Sequence, residues 1–201
     1  MLVAYMTEKE KVIKLAEENN GLLMTNQVSK AGISRYTLGE LVSENRLSYV
    51  QRGIYVTEKG YADDYFLLQQ RFPKGVYSHE TALFLLEFTD RIPLQFVMTF
   101  KQGTSTSRMK KDNIHPVMVS HHFEDGIINV KRSGGTFVRV YCIERTLVDM
   151  LKKRYDADFE QLIPAIKQYA KYKDKNINGL FRYAKLFNVE TQIRNYMGVL
   201  L

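Results

Sequence analysis

The stretch TEKEKVIKLAEENNGLLMTNQVSKAGISRYTLGELVSENRLSYVQRGIYV, residues 7–56, holds three short helical patterns and then an alternating pair of strands. Thr7 stands three residues before Glu10, the capping-box spacing at which a hydroxyl and a carboxylate satisfy backbone N–H groups at a helix start. Val12, Leu15 and Ala16 then share one face, and Asn19, Asn20 and Gly21 supply the stop. A second start falls at Thr25, whose hydroxyl is expected to cap a run through Val28 and Ala31. Gly32 gives the backbone freedom that a sharp turn between helices needs.

Ser34 is expected to cap the third helix, with Leu38, Leu41 and Val42 inward and Tyr36, Glu40 and Ser43 on the opposite face. After Asn45 the period becomes alternating, with Leu47, Tyr49, Ile54 and Val56 on two strands around Gln51, Arg52 and Gly53. Each piece alone is ordinary, since every globular protein has helix caps and a lone turn arginine is usually solvated. The order of the pieces is that of a winged helix-turn-helix. In such a module the first turn of the third helix reaches base edges in the major groove, which singles out Ser34, Arg35, Tyr36 and Thr37. The hairpin tip places Arg52 to touch phosphates or enter a minor groove. Glu40 has two readings, an acceptor for a cytosine amine or a solvated charge.

The chain has 201 residues, 45% of them apolar, so a second domain is expected after this first module. No apolar run is long enough for a membrane span, and Met1 to Met6 lack the pattern of a signal peptide. A single cysteine, Cys142, fits a reducing cytoplasm, and a cytoplasmic protein is expected. The net charge of +7 favours nucleic acid or another polyanion as partner. Before Gly60 the charges nearly balance. Much of the excess follows Thr146, in Lys152, Lys153, Arg154, Lys167, Lys171, Lys173, Lys175, Arg182, Lys185 and Arg194, either as a solvated face or as a surface for a second polyanionic ligand.

The domain boundary is placed near Gly60, giving residues 1–60 and 61–201. Asp63 begins a helical pattern through Phe72, stopped by Pro73 and Gly75, and a short strand at Val76 and Tyr77 leads to Ser78, a cap for the next helix. Strand patterns follow at Leu94–Phe100, Val117–Ser120, Ile127–Lys131 and Thr136–Cys142, and helical ones run from Leu147 through Phe187. The fold class is therefore α+β: an N-terminal winged helix-turn-helix, then a mixed α+β domain with a C-terminal helical block.

Four segments taken in order, QRGIYV from Gln51, YSHETAL from Tyr77, FVMTF from Phe96 and ERTLVDML from Glu144, resemble the AbiEi family of antitoxins from type IV toxin-antitoxin systems of phage defence. The resemblance implies an autorepressor whose first domain binds inverted repeats of promoter DNA, with self-association on the DNA. It also implies an antitoxin domain that opposes a nucleotidyltransferase toxin without a stable complex.

No enzyme, cofactor or metal is expected. A nucleotidyltransferase needs paired carboxylates after its Gly-Ser loop, and none follow Ser133, Gly134 and Gly135. His121 and His122 are read as neighbours in a strand, pointing to opposite faces, His79 as a packing or capping residue, and Cys142 as inert core. The polar stretch Thr104–Lys111, with Arg108, Lys110 and Lys111, is a candidate antitoxin surface or a solvated loop, and Lys171, Lys173 and Lys175 form a second candidate. The competing functions are a winged-helix regulator with a ligand-sensing second domain and a nucleic-acid-modifying enzyme.

Overall fold

Thr7 opens α1 (Glu8–Glu18) as its spacing predicts: Thr7 Oγ1 accepts from the Glu10 N–H at 3.3 Å, and Glu10 Oε2 accepts from the Thr7 N–H at 2.7 Å. The structure, a computed structural model, describes residues 6–152, 155 and 158–200. β1 (Leu22–Met24) runs straight into α2 (Thr25–Lys30). Thr25 is the first residue of α2 and not its cap; Met24 holds that place, and its N–H donates to Gln27 Oε1 at 2.7 Å. Gly32 turns the chain with φ 70°. Ser34, expected to cap the third helix, stands one residue before the cap, which is Arg35; its Oγ accepts from the N–H of Tyr36, the first residue of α3 (Tyr36–Ser43), at 3.2 Å.

β2 (Ser48–Gln51) and β3 (Ile54–Val56) meet through the turn Arg52–Gly53, where Gly53 takes φ 78°, a conformation that side chains resist. Their antiparallel sheet has the order β1-β3-β2. Val12, Ala16, Leu23, Val28, Leu38, Leu41 and Leu47 fill the core beneath it. An isolated helix as short as α3 is unstable in water, so this burial, about 1.5–3 kcal/mol for each large apolar side chain, is what holds it.

Contacts divide the chain into two units. The first takes in the described residues up to Arg71 together with Lys131–Phe137, and the second has Phe72–Val130 and the chain from Val138 onward. The position near Gly60 proposed from sequence as a boundary therefore falls inside the first unit. That unit includes α4 (Asp64–Arg71), where Asp63 Oδ1 accepts from the Phe66 N–H at 3.1 Å. Asp63 is 4% exposed and pairs with Arg132 at 3.1 Å, and the Arg132 guanidinium lies over the Tyr65 ring.

The second unit is built on β4 (Val76–Tyr77), β5 (Phe96–Lys101), β6 (Ile114–Val119), β7 (Ile127–Lys131) and β8 (Phe137–Tyr141), in the order β6-β5-β4-β8-β7. α5 (His79–Leu85) leaves β4 directly. β5 and β6 are parallel neighbours, so the chain between them must cross from one end to the other. The polar stretch Thr104–Lys111 is part of that crossing, pinned by buried Met109 in a short 3-10 turn, Met109–Asp112. β6 starts at Ile114, earlier than the expected Val117, and as an edge strand it accommodates Pro116, which has no N–H to donate.

α6 (Ile143–Met150), α7 (Phe159–Lys171), α8 (Ile177–Leu186) and α9 (Glu190–Leu200) follow as a helical block around Leu147, Leu162, Ile166, Leu180 and Ile193. Glu144 joins three of these elements: its Oε1 accepts from the Tyr169 hydroxyl and from the Asn176 N–H just before α8, both at 3.1 Å. The architecture is thus mixed α and β with two sheets and a C-terminal block of helices. Among the described residues no helix is long and apolar enough to cross a membrane.

Among the buried polar side chains of this unit are Arg145 and His79, both large and able to carry charge. Arg145 has no exposed surface and holds Asp149 Oδ2 at 2.7 Å. Removing either partner alone leaves an unmatched buried charge, so Arg145→Met or Asp149→Leu is expected to cost about 3–5 kcal/mol, and the double variant much less than the sum. Urea unfolding of the three variants measures this, and additive losses would refute the coupling.

His79 is 1% exposed, and burial pushes its imidazole below the ordinary value of 6.5, with His115 and Arg145 pushing the same way and Asp149 and Glu80 opposing. A depressed folded value means that the unfolded chain takes the proton first as pH falls. The stability contributed by neutral His79 is present above 6.5 and lost as pH drops towards the folded value. Urea midpoints measured from about pH 7 to about pH 5 should fall more steeply for the natural protein than for His79→Gln. Parallel profiles would count against it.

Candidate nucleic-acid interface

Three ties besides the apolar core fix α3 against α1. Lys9 Nζ lies 2.6 Å from Glu44 Oε1 and 3.5 Å from Glu40 Oε1, and Thr37 Oγ1 donates to Glu8 Oε2 at 3.0 Å. The hydrogen bond to Glu44 raises the Lys9 ammonium above its usual value. Glu40, which the sequence left between two readings, is a partner of Lys9. With α3 fixed in this way, Ser34, Arg35 and Tyr36 are exposed at its start, Tyr36 by 76%.

Thr37 differs. It was expected among the outward residues, but it is 3% exposed and turned towards Glu8. Its hydroxyl closes the helix pair, so it is removed from the set that can meet a base edge. The signal was present in the sequence, because Thr37, Leu38 and Leu41 fall at i, i+1 and i+4 on one helical face.

Arg35 is braced from α2: its Nε donates to Ser29 Oγ at 3.1 Å. Sequence reading missed Ser29. The bond employs Nε and not the two terminal amino groups that a bidentate contact to a guanine edge needs. At the hairpin, Arg52 is exposed at the tip, and the tip is tied down on both sides. The Thr25 N–H donates to Gly53 O at 2.9 Å, and Gln51 Nε2 donates to Leu67 O at 2.9 Å. Tyr49, 58% exposed on β2, packs edge-on against Tyr55 and adds an aromatic surface that sequence alternation did not distinguish from core.

In the second unit the two basic groups lie on separate connections. Arg108, Lys110 and Lys111 are exposed at the 3-10 turn before β6. Lys171 ends α7, Lys173 is exposed beyond it, and half-buried Lys175 donates to Tyr172 O at 3.3 Å. Lys153 and Arg154 lie outside the described residues.

The histidines also need correction. His121 and His122 follow the end of β6 in a turn and are not strand neighbours; His122 has φ 57° and its Nδ1 lies 2.9 Å from Asp125 Oδ2. Among the described residues no cluster of three or more His, Cys, Asp or Glu is placed to hold a metal ion. Cys142 is the cap of α6 and not a strand residue, and burial pushes its thiol up to about 11, which keeps it protonated and weakly nucleophilic at neutral pH.

No curated protein matches the chain in sequence. In structure it is similar to the crystal structure of RV2827C protein from Mycobacterium tuberculosis, with a TM-score of 0.56 and 13% identity, over 96% of this chain and 82% of that one. At that identity the likeness is one of fold. Residues 10–57, which span the three helices and the hairpin, match the family model described as transcriptional regulator, AbiEi antitoxin.

Proposed function

We propose that the first unit is a winged helix-turn-helix that binds promoter DNA, and that the protein is an antitoxin that represses its own operon. The observation that carries this reading is the exposed start of α3. Ser34, Arg35 and Tyr36 stand on a helix locked into the core, with Arg52 at the tied hairpin tip, inside the residues that match the regulator family. A rigid helix is what base readout requires, since a reading side chain must arrive in one orientation. Recognition of inverted repeats, membership of a type IV system and opposition to a nucleotidyltransferase toxin without a stable complex extend the same proposal; they rest on the resemblance of the four sequence segments.

Gel-shift titration on the protein's own promoter tests the DNA surface. Arg35→Ala and Arg52→Ala are each expected to weaken binding by about 1–3 kcal/mol if the contact is to a base edge, and to lower the salt slope by about one unit if it is to a phosphate. Thr37→Val is the control. It should cost about 1 kcal/mol of stability through the lost bond to Glu8 while leaving the affinity of the folded protein unchanged. One such module covers little DNA, so binding should be cooperative on a paired half-site. Unaltered affinity in both arginine variants would remove this surface.

The antitoxin activity is tested by growth rescue on co-expression with the product of the neighbouring gene, at matched protein levels. Reversal of Lys110 and Lys111 to glutamate should reduce rescue if the 3-10 turn contributes. Reversal of Lys171, Lys173 and Lys175 examines the α7–α8 connection in the same way. Full rescue by both sets would exclude these basic residues as the antitoxin surface.

A further inference from the structure

A cavity of about 350 Å³ lies in the second unit, with His79, Glu80, Arg91, Tyr155, Asp158 and Gln161 among its walls. Two groups of its polar atoms bear on what it can hold. The first is already engaged: Glu80 Oε1 accepts from the Asp158 N–H at 2.7 Å, and Asp158 Oδ2 accepts from Gln161 Nε2 at 3.0 Å and Arg91 Nη1 at 3.2 Å. This chain of bonds fixes the wall. The second group is buried and has no hydrogen-bond partner: both ring nitrogens of His79 and the Oε1 of Gln161. Folded proteins seldom leave such atoms unmatched, and an unmatched set beside a cavity points to a ligand that completes it.

His79 is driven to this wall by the sheet. Ser78 donates its N–H to Val97 O at 3.1 Å and its Oγ accepts from Thr99 Oγ1 at 2.9 Å, while Thr81 Oγ1 accepts from the Val97 N–H at 2.8 Å. With Ser78 and Thr81 pinned to β5, His79 takes φ 50°, a left-handed conformation that a non-glycine residue adopts at a cost. Its ring meets the Tyr155 ring edge-on at 5.2 Å.

The unmatched atoms define the ligand's chemistry. Buried His79 is neutral, so one ring nitrogen donates and the other accepts; Gln161 Oε1 accepts. The two ring nitrogens point to opposite sides of the imidazole, so one ligand edge meets one of them together with Gln161 Oε1, and that edge carries a donor for Gln161 beside an acceptor or donor for His79, as an amide or amidine does. The rings of His79, His115 and Tyr155 at the wall favour a flat ligand. Two carboxylates against one guanidinium disfavour an anion, and the volume is at the small end for ligand sites. We infer that this cavity binds an uncharged planar heterocycle with an amide or amidine edge, the chemistry of a nucleobase or nucleoside. The cavity belongs to the second unit, and its test does not depend on DNA binding.

The test titrates the full-length protein with adenosine, guanosine, cytidine and uridine, each up to about 5 mM, while the imidazole resonances are followed by NMR. At least one nucleoside should bind saturably and shift the His79 ring signals. Gln161→Met and His79→Phe should each weaken that binding about tenfold or more. The Gln161 variant keeps the test sharp if His79→Phe does not fold. The proposal is overturned if no nucleoside moves the His79 signals, or if Gln161→Met binds as well as the natural protein. It is equally overturned if a nucleoside monophosphate binds more tightly than its nucleoside, since an acidic wall should not reward added negative charge.

Discussion

The buried guanidinium of Arg145 ties the sheet and the helices of the second unit to one another. Nε donates to Asp149 at 2.7 Å, and Nη1 donates to the carbonyls of His122 at 2.8 Å and Asp125 at 3.0 Å. The rings of Tyr141 and Phe187 cover the group at 4.4 and 4.0 Å. These partners come from α6, the turn after β6, β8 and the end of α8. A buried charge costs several kcal/mol unless it is paired and hydrogen-bonded, and Nε and Nη1 find these partners on helix and turn, while Nη2 has none among the described residues. Lys152 closes the arrangement, 3.8 Å from Asp149 and 3.6 Å above the Phe187 ring.

In the first unit the constraint on α3 is different, because its ties to α1 are apolar contacts and partly exposed polar pairs, while the pair of buried Asp63 with Arg132 lies at α4. The short α3 depends on the apolar contacts of Leu38 and Leu41, and its orientation about its own axis is set by Thr37, Glu40 and Glu44 reaching α1. That rotation decides which side chains face outward. Tyr36 and Arg35 are presented because Thr37 and Leu38 are not. The available face of the helix is a consequence of packing, and it would change with the register of the α1–α3 contacts.

Local features were legible in the sequence. The Thr7–Glu10 capping box, the turns at Gly32 and Gly53, and the helical block from Leu147 onward all follow from rules that act within a few residues. What depends on distant partners was not. Thr25 is well suited to cap α2, but the incoming chain of β1 and the bond from its N–H to Gly53 O make it the first helical residue. The parallel pairing of β5 with β6 extends the strand back to Ile114 through a proline that local propensity rejects. Lys131–Phe137 groups with the first unit through Asp63 and Arg132, 69 positions apart. Of the candidate DNA surface, Ser34, Arg35, Tyr36 and Arg52 are found exposed, since amphipathic spacing predicts exposure well; the brace from Ser29 and the inward turn of Thr37 required the fold.

Of the three segments of the second unit that carry the family resemblance, ERTLVDML and YSHETAL have unlike physical roles. In ERTLVDML every polar side chain is committed inside the unit: Glu144 to Tyr169 and Asn176, Arg145 to Asp149, and Thr146 to the carbonyl of Tyr141. Such a segment specifies architecture, and its residue types are demanded by burial. YSHETAL divides its polar side chains. Ser78 and Thr81 bond to β5 and fix the turn, whereas His79 and Glu80 between them line the cavity. His79 differs from Arg145 in degree: both its ring nitrogens are unmatched and its backbone takes φ 50°, whereas around Arg145, among the described residues, only Nη2 and Asp149 Oδ1 lack a hydrogen-bond partner. A fold selected for stability alone would have matched that imidazole from the adjacent chain of bonds through Glu80, Asp158 and Gln161, which is why the segment is read as structure at Ser78 and Thr81 and as a binding wall at His79.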